Sequence, residues 1–159
     1  MRLIFLIGLF LLTGAGAQIS VSTNRIEQKG IVVKIIDGDT FDLLTKEKRT
    51  IRVRMYGIDC PERKQDFYKV SKDALAEYIF KKEIRLETTG RDRNRRTIAI
   101  VFCNGENINL AMIRNGYAWH YKKYSADRNY AKAEEQARTN KKGLWQMSKP
   151  VPPWEFRKR

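Results

Sequence analysis

An α+β chain, a five-stranded barrel of the OB type carrying three packed α-helices, is predicted by three features of this sequence. Short β-branched and aromatic runs separated by turn residues fill its first third. A segment of helical period follows the third run. Two more strands and two further helical segments then complete the order β-β-β-α-β-β-α-α, which suits a small barrel with a helix inserted after strand three.

The first three strands are "IVVKII" (31–36), "TFDLL" (40–44) and "TIRVRMYGI" (50–58). Asp37-Gly38, between the first two, is a hairpin signal. In the third, Ile51, Val53 and Met55 point one way while Arg52, Arg54 and Tyr56 point the other. Between Phe67 and Lys82 the residues Phe67, Val70, Ala74, Leu75, Tyr78 and Ile79 recur at helical spacing. "EIRLETT" (83–89) and "TIAIVFC" (97–103) are the fourth and fifth strands, separated by the charged turn "GRDRNRR". Asn107 or Asn109 caps a short helix, "LAMIRN", which Gly116 stops. A last helix, from about Asp127 to Lys142, turns Tyr130, Ala133 and Ala137 inward and ends at Gly143. The tail, 147–159, is basic, holds three of the four prolines and reads as an extended strap.

The other end reads differently. Arg2, the apolar run Leu3 to Leu12 and the small residues Ala15-Gly16-Ala17 form the pattern of a cleaved signal peptide over 1–17. The run is shorter than the roughly 20 residues of a membrane span. A secreted or periplasmic protein is therefore expected, without stable membrane association once the leader is removed. Residues 18–29 read as a flexible lead-in, and 30–146 as one folded domain. Losing Arg2 lowers the formal net charge from +14 to +13. Such a charge favours polyanionic partners and salt-sensitive encounter with them. Two cysteines, Cys60 and Cys103, are too few for a disulfide framework; free, buried thiols are the preferred reading, with a single bridge between them as the alternative in an oxidising compartment. With no CxxC pair and a single histidine, a zinc site is not expected. That histidine, His120, sits between Trp119 and Tyr121 and reads as a packed residue; a mechanism built on two histidines is excluded.

The acids and arginines carry the chemistry. Asp37 and Asp39 bracket a glycine after the first strand; Asp59 ends the third, with Glu62 three residues on. If the first three strands are antiparallel neighbours, Asp39 and Asp59 meet, and they repel unless a cation stands between them. Oxygen donors, including the main-chain carbonyl of Cys60 turned by Pro61, suit a hard ion, Ca²⁺ or Mg²⁺. Arg54 and Arg96 offer planar guanidiniums that donate paired hydrogen bonds to phosphate. A cation and two arginines at one pocket would stabilise the charge that develops on a phosphodiester under attack. Glu62 would orient or deprotonate the attacking water. A non-catalytic OB-fold nucleic-acid-binding protein is the alternative reading, although it has no use for Glu62 or paired carboxylates. A cationic membrane or polysaccharide binder would need an amphipathic cationic helix, whereas "KAEEQARTNKK" mixes its cations with acids.

The stretches "IIDGDTFDLL", "RVRMYGIDCPE", "GENINLAMIRNGYAW" and "AEEQARTNKKGLW" resemble the staphylococcal-type thermonuclease family, in the same order and across residues 30–146. The resemblance implies a Ca²⁺-dependent nuclease on an OB barrel that cuts DNA and RNA and leaves 3′-phosphate ends; a monomer is expected. By position it makes Asp39 and Asp59 the metal carboxylates, Cys60 the main-chain ligand and Asp37 an outer-sphere acid. It makes Arg54, Glu62 and Arg96 the catalytic arginine, glutamate and second arginine. Tyr121 and Tyr124 are candidates for the nucleotide pocket. One loop departs from the family pattern: Asp-x-Tyr-Gly-Arg is replaced by "DRNRR", Asp92 to Arg96. Arg95 therefore competes with Arg96, which is preferred because the strand alternation resumes directly after it.

Overall fold

Period-two alternation makes strands that each hide one face, and here they close into a barrel. The computed structural model describes residues 27–158; the expected leader and most of the lead-in lie outside the described residues. The strands are β1 (Glu27–Ile35), β2 (Thr40–Thr45), β3 (Thr50–Met55), the two-residue β4 (Ile58–Asp59), β5 (Glu83–Arg91), β6 (Thr97–Cys103), β7 (Glu106–Asn107) and β8 (Trp119–His120). The helices are α1 (Tyr68–Ile79), α2 (Ile108–Arg114), α3 (Arg128–Thr139) and the single turn α4 (Pro153–Phe156), with a 3₁₀ turn at Gly143–Gln146. The main sheet runs β3-β2-β1-β5-β6-β7, and a parallel β3–β6 pairing closes it. The five long strands are thus a closed barrel, which leaves few free edges.

Inside lie Val32, Phe41, Leu43, Val53, Met55, Leu86 and Val101, all but sealed from water, with Met112 and Ile113 of α2 packed against one end. At roughly 25 cal/mol per Å² of apolar surface, burial of this kind is the main stabilising term. A second cluster gathers Trp119, Ala137, Leu144 and Trp145, with Phe67, Met147 and Trp154 around it. Asn107 caps α2 by accepting from Leu110 N at 3.0 Å. Asn109, the other candidate cap, is buried instead: it accepts from Val101 N at 2.9 Å and donates to Tyr56 O at 2.8 Å. It thereby ties α2 to both β6 and the end of β3. Cys60 and Cys103 are free and buried.

Several boundaries shift for physical reasons. β1 starts at Glu27, within the stretch read as a flexible lead-in, because Glu27 to Gly30 pair with Glu87 to Ile84 of β5. Backbone pairing there outweighs a polar composition. β3 stops at Met55, not at Ile58, because Gly57 takes φ +70° and turns the chain. Phe67 lies outside α1 in a left-handed conformation, φ 65°, and packs on the second cluster, while Val70 is 45% exposed. α3 ends at Thr139, where Asn140 donates to Gln136 O and Lys141 turns left-handed. The tail is not extended throughout. Pro152 and Pro153 start α4, proline being well suited to a first helical turn, and Pro153 is buried.

Candidate active site

Strand pairing decides where the charged groups land. Thr40 pairs with Arg54 across β2–β3, and Met55 N donates to Asp39 O at 2.9 Å. The parallel closure sets Val53 against Thr97, so Arg96, one residue earlier, arrives beside the strand of Arg54. β4 pairs Asp59 with Trp119, and Tyr121 N donates to Gly57 O at 2.8 Å, which brings Tyr121 to the same rim. One open cleft of about 1520 Å³ is bordered by all the residues expected to hold the cation, phosphate, water or base: Asp37, Asp39, Arg54, Asp59, Cys60, Glu62, Arg96, Tyr121 and Tyr124.

At its floor Arg54 bridges two carboxylates. Nη1 lies 2.8 Å from Asp39 Oδ2, and Nη2 lies 2.8 Å from Asp59 Oδ1. The two acids do meet, and the cation lying between them is this guanidinium, which the alternation of β3 directs into the cleft. Asp39 Oδ2 also accepts from Cys60 N at 2.8 Å, and Thr40 Oγ1 donates to Oδ1 at 3.1 Å. Gly38 permits that approach, since a Cβ there would sit 2.8 Å from Cys60 Cβ and 2.9 Å from Ser71 Cβ. Asp37 Oδ1 accepts from Asp39 N at 3.1 Å, holding the loop.

Burial pushes the Asp39 carboxyl up to about 8; Arg54 pulls it down, while Asp37 and Asp59 push it up. The folded state therefore keeps a proton on Asp39 that the unfolded chain loses near 3.8. In protein stripped of divalent ions, the contribution of Asp39 to stability falls as pH rises from 3.8 to about 8. Urea midpoints across that range should drop less steeply in Asp39→Asn than in wild type; parallel profiles would rule this out.

Arg96 comes from a loop organised by Asp92. Asp92 Oδ2 accepts from Arg96 Nε at 2.7 Å, and Oδ1 accepts from the main-chain N of both Asn94 and Arg96. Partial burial works against the Asp92 carboxylate, but these bonds hold it below its usual range. Arg95 carries the left-handed turn, φ 61°, at a cost of about 1–2 kcal/mol for a side chain of its kind. Arg96 borders the cleft and reaches Thr40 Oγ1 at 3.5 Å; Arg95 does not border it. Tyr121 meets Tyr124 edge-on at 4.9 Å, and its face is covered by Trp154 at 5.2 Å and 2°. His120 is buried edge-on against Tyr130, burial lowers its pKa, and it does not border the cleft.

Two participants escaped the sequence reading. Asp92 could have been found as an acid four residues before Arg96. Arg157, in the tail, gave no periodic signal. Its Nη2 lies 2.8 Å from Asp59 Oδ2, its Nη1 3.3 Å from Asp59 Oδ1, and Nη1 also donates to Glu62 Oε1. Glu62 itself sits in a turn locked by Gln65, whose side chain accepts from Glu62 N at 2.9 Å and donates to Val151 O at 2.6 Å.

The donor set fits a hard divalent ion in its chemistry. Asp39 and Asp59 are buried oxygen donors in one cleft, and burial raises the Asp39 carboxyl, so a cation beside it would favour the ionised, ligating form. Among the described residues no three His, Cys, Asp or Glu side chains gather around one point, so such an ion would rest on two carboxylates, the Cys60 carbonyl and water.

The barrel's cleft thus joins buried acids to one guanidinium from β3 and one from the loop before β6. Residues 52–147 match the family model described as staphylococcal nuclease homologue. The chain is 44% identical over 127 residues to an "uncharacterized endonuclease" of Haemophilus influenzae, covering 80% of this chain and 71% of that one. It is 36% identical over 141 residues to the micrococcal nuclease of Shigella flexneri (82% and 80%), and 37% over 131 residues to an Escherichia coli "uncharacterized endonuclease" (82% and 85%). The chain belongs to the staphylococcal nuclease family and is an endonuclease, a hydrolase.

Proposed function

We propose that this enzyme is an exported, divalent-cation-dependent nuclease that hydrolyses phosphodiester bonds of both DNA and RNA with little sequence preference. The observation that carries the reading is the convergence of Asp39, Arg54, Asp59, Glu62 and Arg96 on one open cleft. Asp39 and Asp59 would hold the ion, Ca²⁺ by family likeness, with the Cys60 carbonyl beside them and Asp37 behind. A cation held there would add positive charge beside the phosphate. Arg54 and Arg96 donate hydrogen bonds to the phosphate oxygens, and those bonds strengthen as charge builds during attack. Asp92 keeps Arg96 extended toward the cleft, so little conformational freedom is lost when substrate arrives. Glu62 orients a water and accepts its proton. Tyr121 and Tyr124 line the rim, where Tyr124, 58% exposed, offers a ring face to a base without reading its edge.

The test is digestion of supercoiled plasmid and of RNA by purified protein with Ca²⁺, with Mg²⁺ and with chelator. Degradation of both substrates that stops in chelator is expected, with activity falling steeply as salt rises. Cutting that persists in chelator removes the cation from the reading. A mobility shift without cleavage removes the catalytic assignment.

A further inference from the structure

The C-terminal strap places a third guanidinium in the cleft. Both oxygens of Asp59, a side chain only 2% exposed, already accept from arginines: Oδ1 from Arg54 and Arg157, Oδ2 from Arg157. The same Arg157 pairs with Glu62. One tail residue thus occupies both the carboxylate that would ligate a cation and the carboxylate that would take a proton from water.

The strap is held by contacts independent of that pair. Trp154 stacks on Tyr121 and meets Trp119 edge-on at 5.6 Å, Pro153 is buried, and Val151 O accepts from Gln65, which braces the Glu62 turn. Beyond this anchor Arg157 is 40% exposed, so its tip can swing into solvent while the strap stays seated. Arg54 holds Asp59 through Oδ1, so Oδ2 is the oxygen left to a dication, and Arg157 occupies it; a guanidinium and a dication on that one oxygen repel strongly in a partly desolvated site.

We infer that Arg157 is a second, displaceable counter-cation of Asp59, beside Arg54, and that a divalent cation binds by displacing it, so the strap is an autoinhibitory contact released by the ion. The inference rests on the cation reading given above. Exchange of this kind makes metal-free protein both inactive and stable: Arg157 adds charge at Asp59 and ties up Glu62 Oε1 until the ion takes over Asp59. A strap closed roughly 90–99% of the time weakens apparent cation affinity by about 10- to 100-fold.

Calorimetric titration of chelator-stripped full-length protein with CaCl₂, alongside thermal melts with and without saturating Ca²⁺, tests this. Arg157→Gln is expected to bind Ca²⁺ about 10- to 100-fold more tightly than wild type. Arg157→Lys, which keeps the charge but loses the two-pronged fork, should fall between them. Trp154→Ala, which loosens the anchor and leaves Arg157 in place, should also tighten binding. The melting temperature of Arg157→Gln should lie below wild type in chelator and close on it in saturating Ca²⁺. Unchanged or weaker binding by both Arg157→Gln and Trp154→Ala, in protein that still melts cooperatively, overturns the exchange and leaves the cation reading standing. Wild-type protein that takes up no Ca²⁺ and digests equally well in chelator overturns both.

Discussion

Glu62→Gln is expected to lower turnover by about 10²- to 10⁴-fold, the usual contribution of a positioned general base. The change keeps the size of the side chain and its place in the turn, because the bonds that fix the turn run through Glu62 N and Gln65. Substrate affinity should therefore change little, and the loss should fall on kcat. The amide still accepts from Arg157 through its oxygen, so the strap is not expelled by the substitution itself. Single-turnover cleavage of a short labelled duplex separates these effects. A variant with wild-type turnover would take Glu62 out of the mechanism, and one with raised KM alone would make it a binding residue.

Arg54→Ala is expected to damage stability as well as activity. Its guanidinium is the inner partner of Asp39 and Asp59, and removing one partner of a buried ion pair costs about 3–5 kcal/mol. The cost grows as pH rises through about 8 in chelator, where wild-type Asp39 ionises, while loss of Arg54 pushes the carboxyl of the variant higher still. Saturating divalent cation should restore part of it, because an ion can neutralise the same two acids. Arg54→Lys should not restore activity: one ammonium cannot donate to both carboxylates in the geometry of a planar fork. Urea unfolding at pH 9, with and without cation, reads the result. A loss below about 1 kcal/mol in chelator would mean that Arg157 alone suffices to balance Asp59.

Much of this site was legible because its parts lie close together along the chain. Arg54, Asp59, Cys60 and Glu62 fall within nine residues, and the alternation of β3 states which way Arg54 points. The hairpin signal at Asp37-Gly38 delivers Asp39 to the same end of the sheet. Gly38 proved to matter for space against Cys60 and Ser71, which no local turn rule would reveal. Resumed alternation marks the start of β6, and of the two adjacent arginines before it only Arg96 borders the cleft. The stop of β3 at Gly57, the exposure of Val70 and the extension of β1 back to Glu27 were not legible. Each depends on a partner strand or cluster remote in sequence.

Local periods and turn chemistry act over a few residues, so the amino-acid order alone settled the order of the five long strands and the three longer helices, the barrel and the clustering of acids with Arg54. Tertiary structure decided which cation stands between Asp39 and Asp59, how Asp92 aims Arg96, and that the tail returns to the cleft. Arg157 lies 98 residues from Asp59. No spacing rule spans that distance; only barrel closure and the aromatic seat of Trp154 bring a guanidinium there, where burial makes an unpaired carboxylate costly.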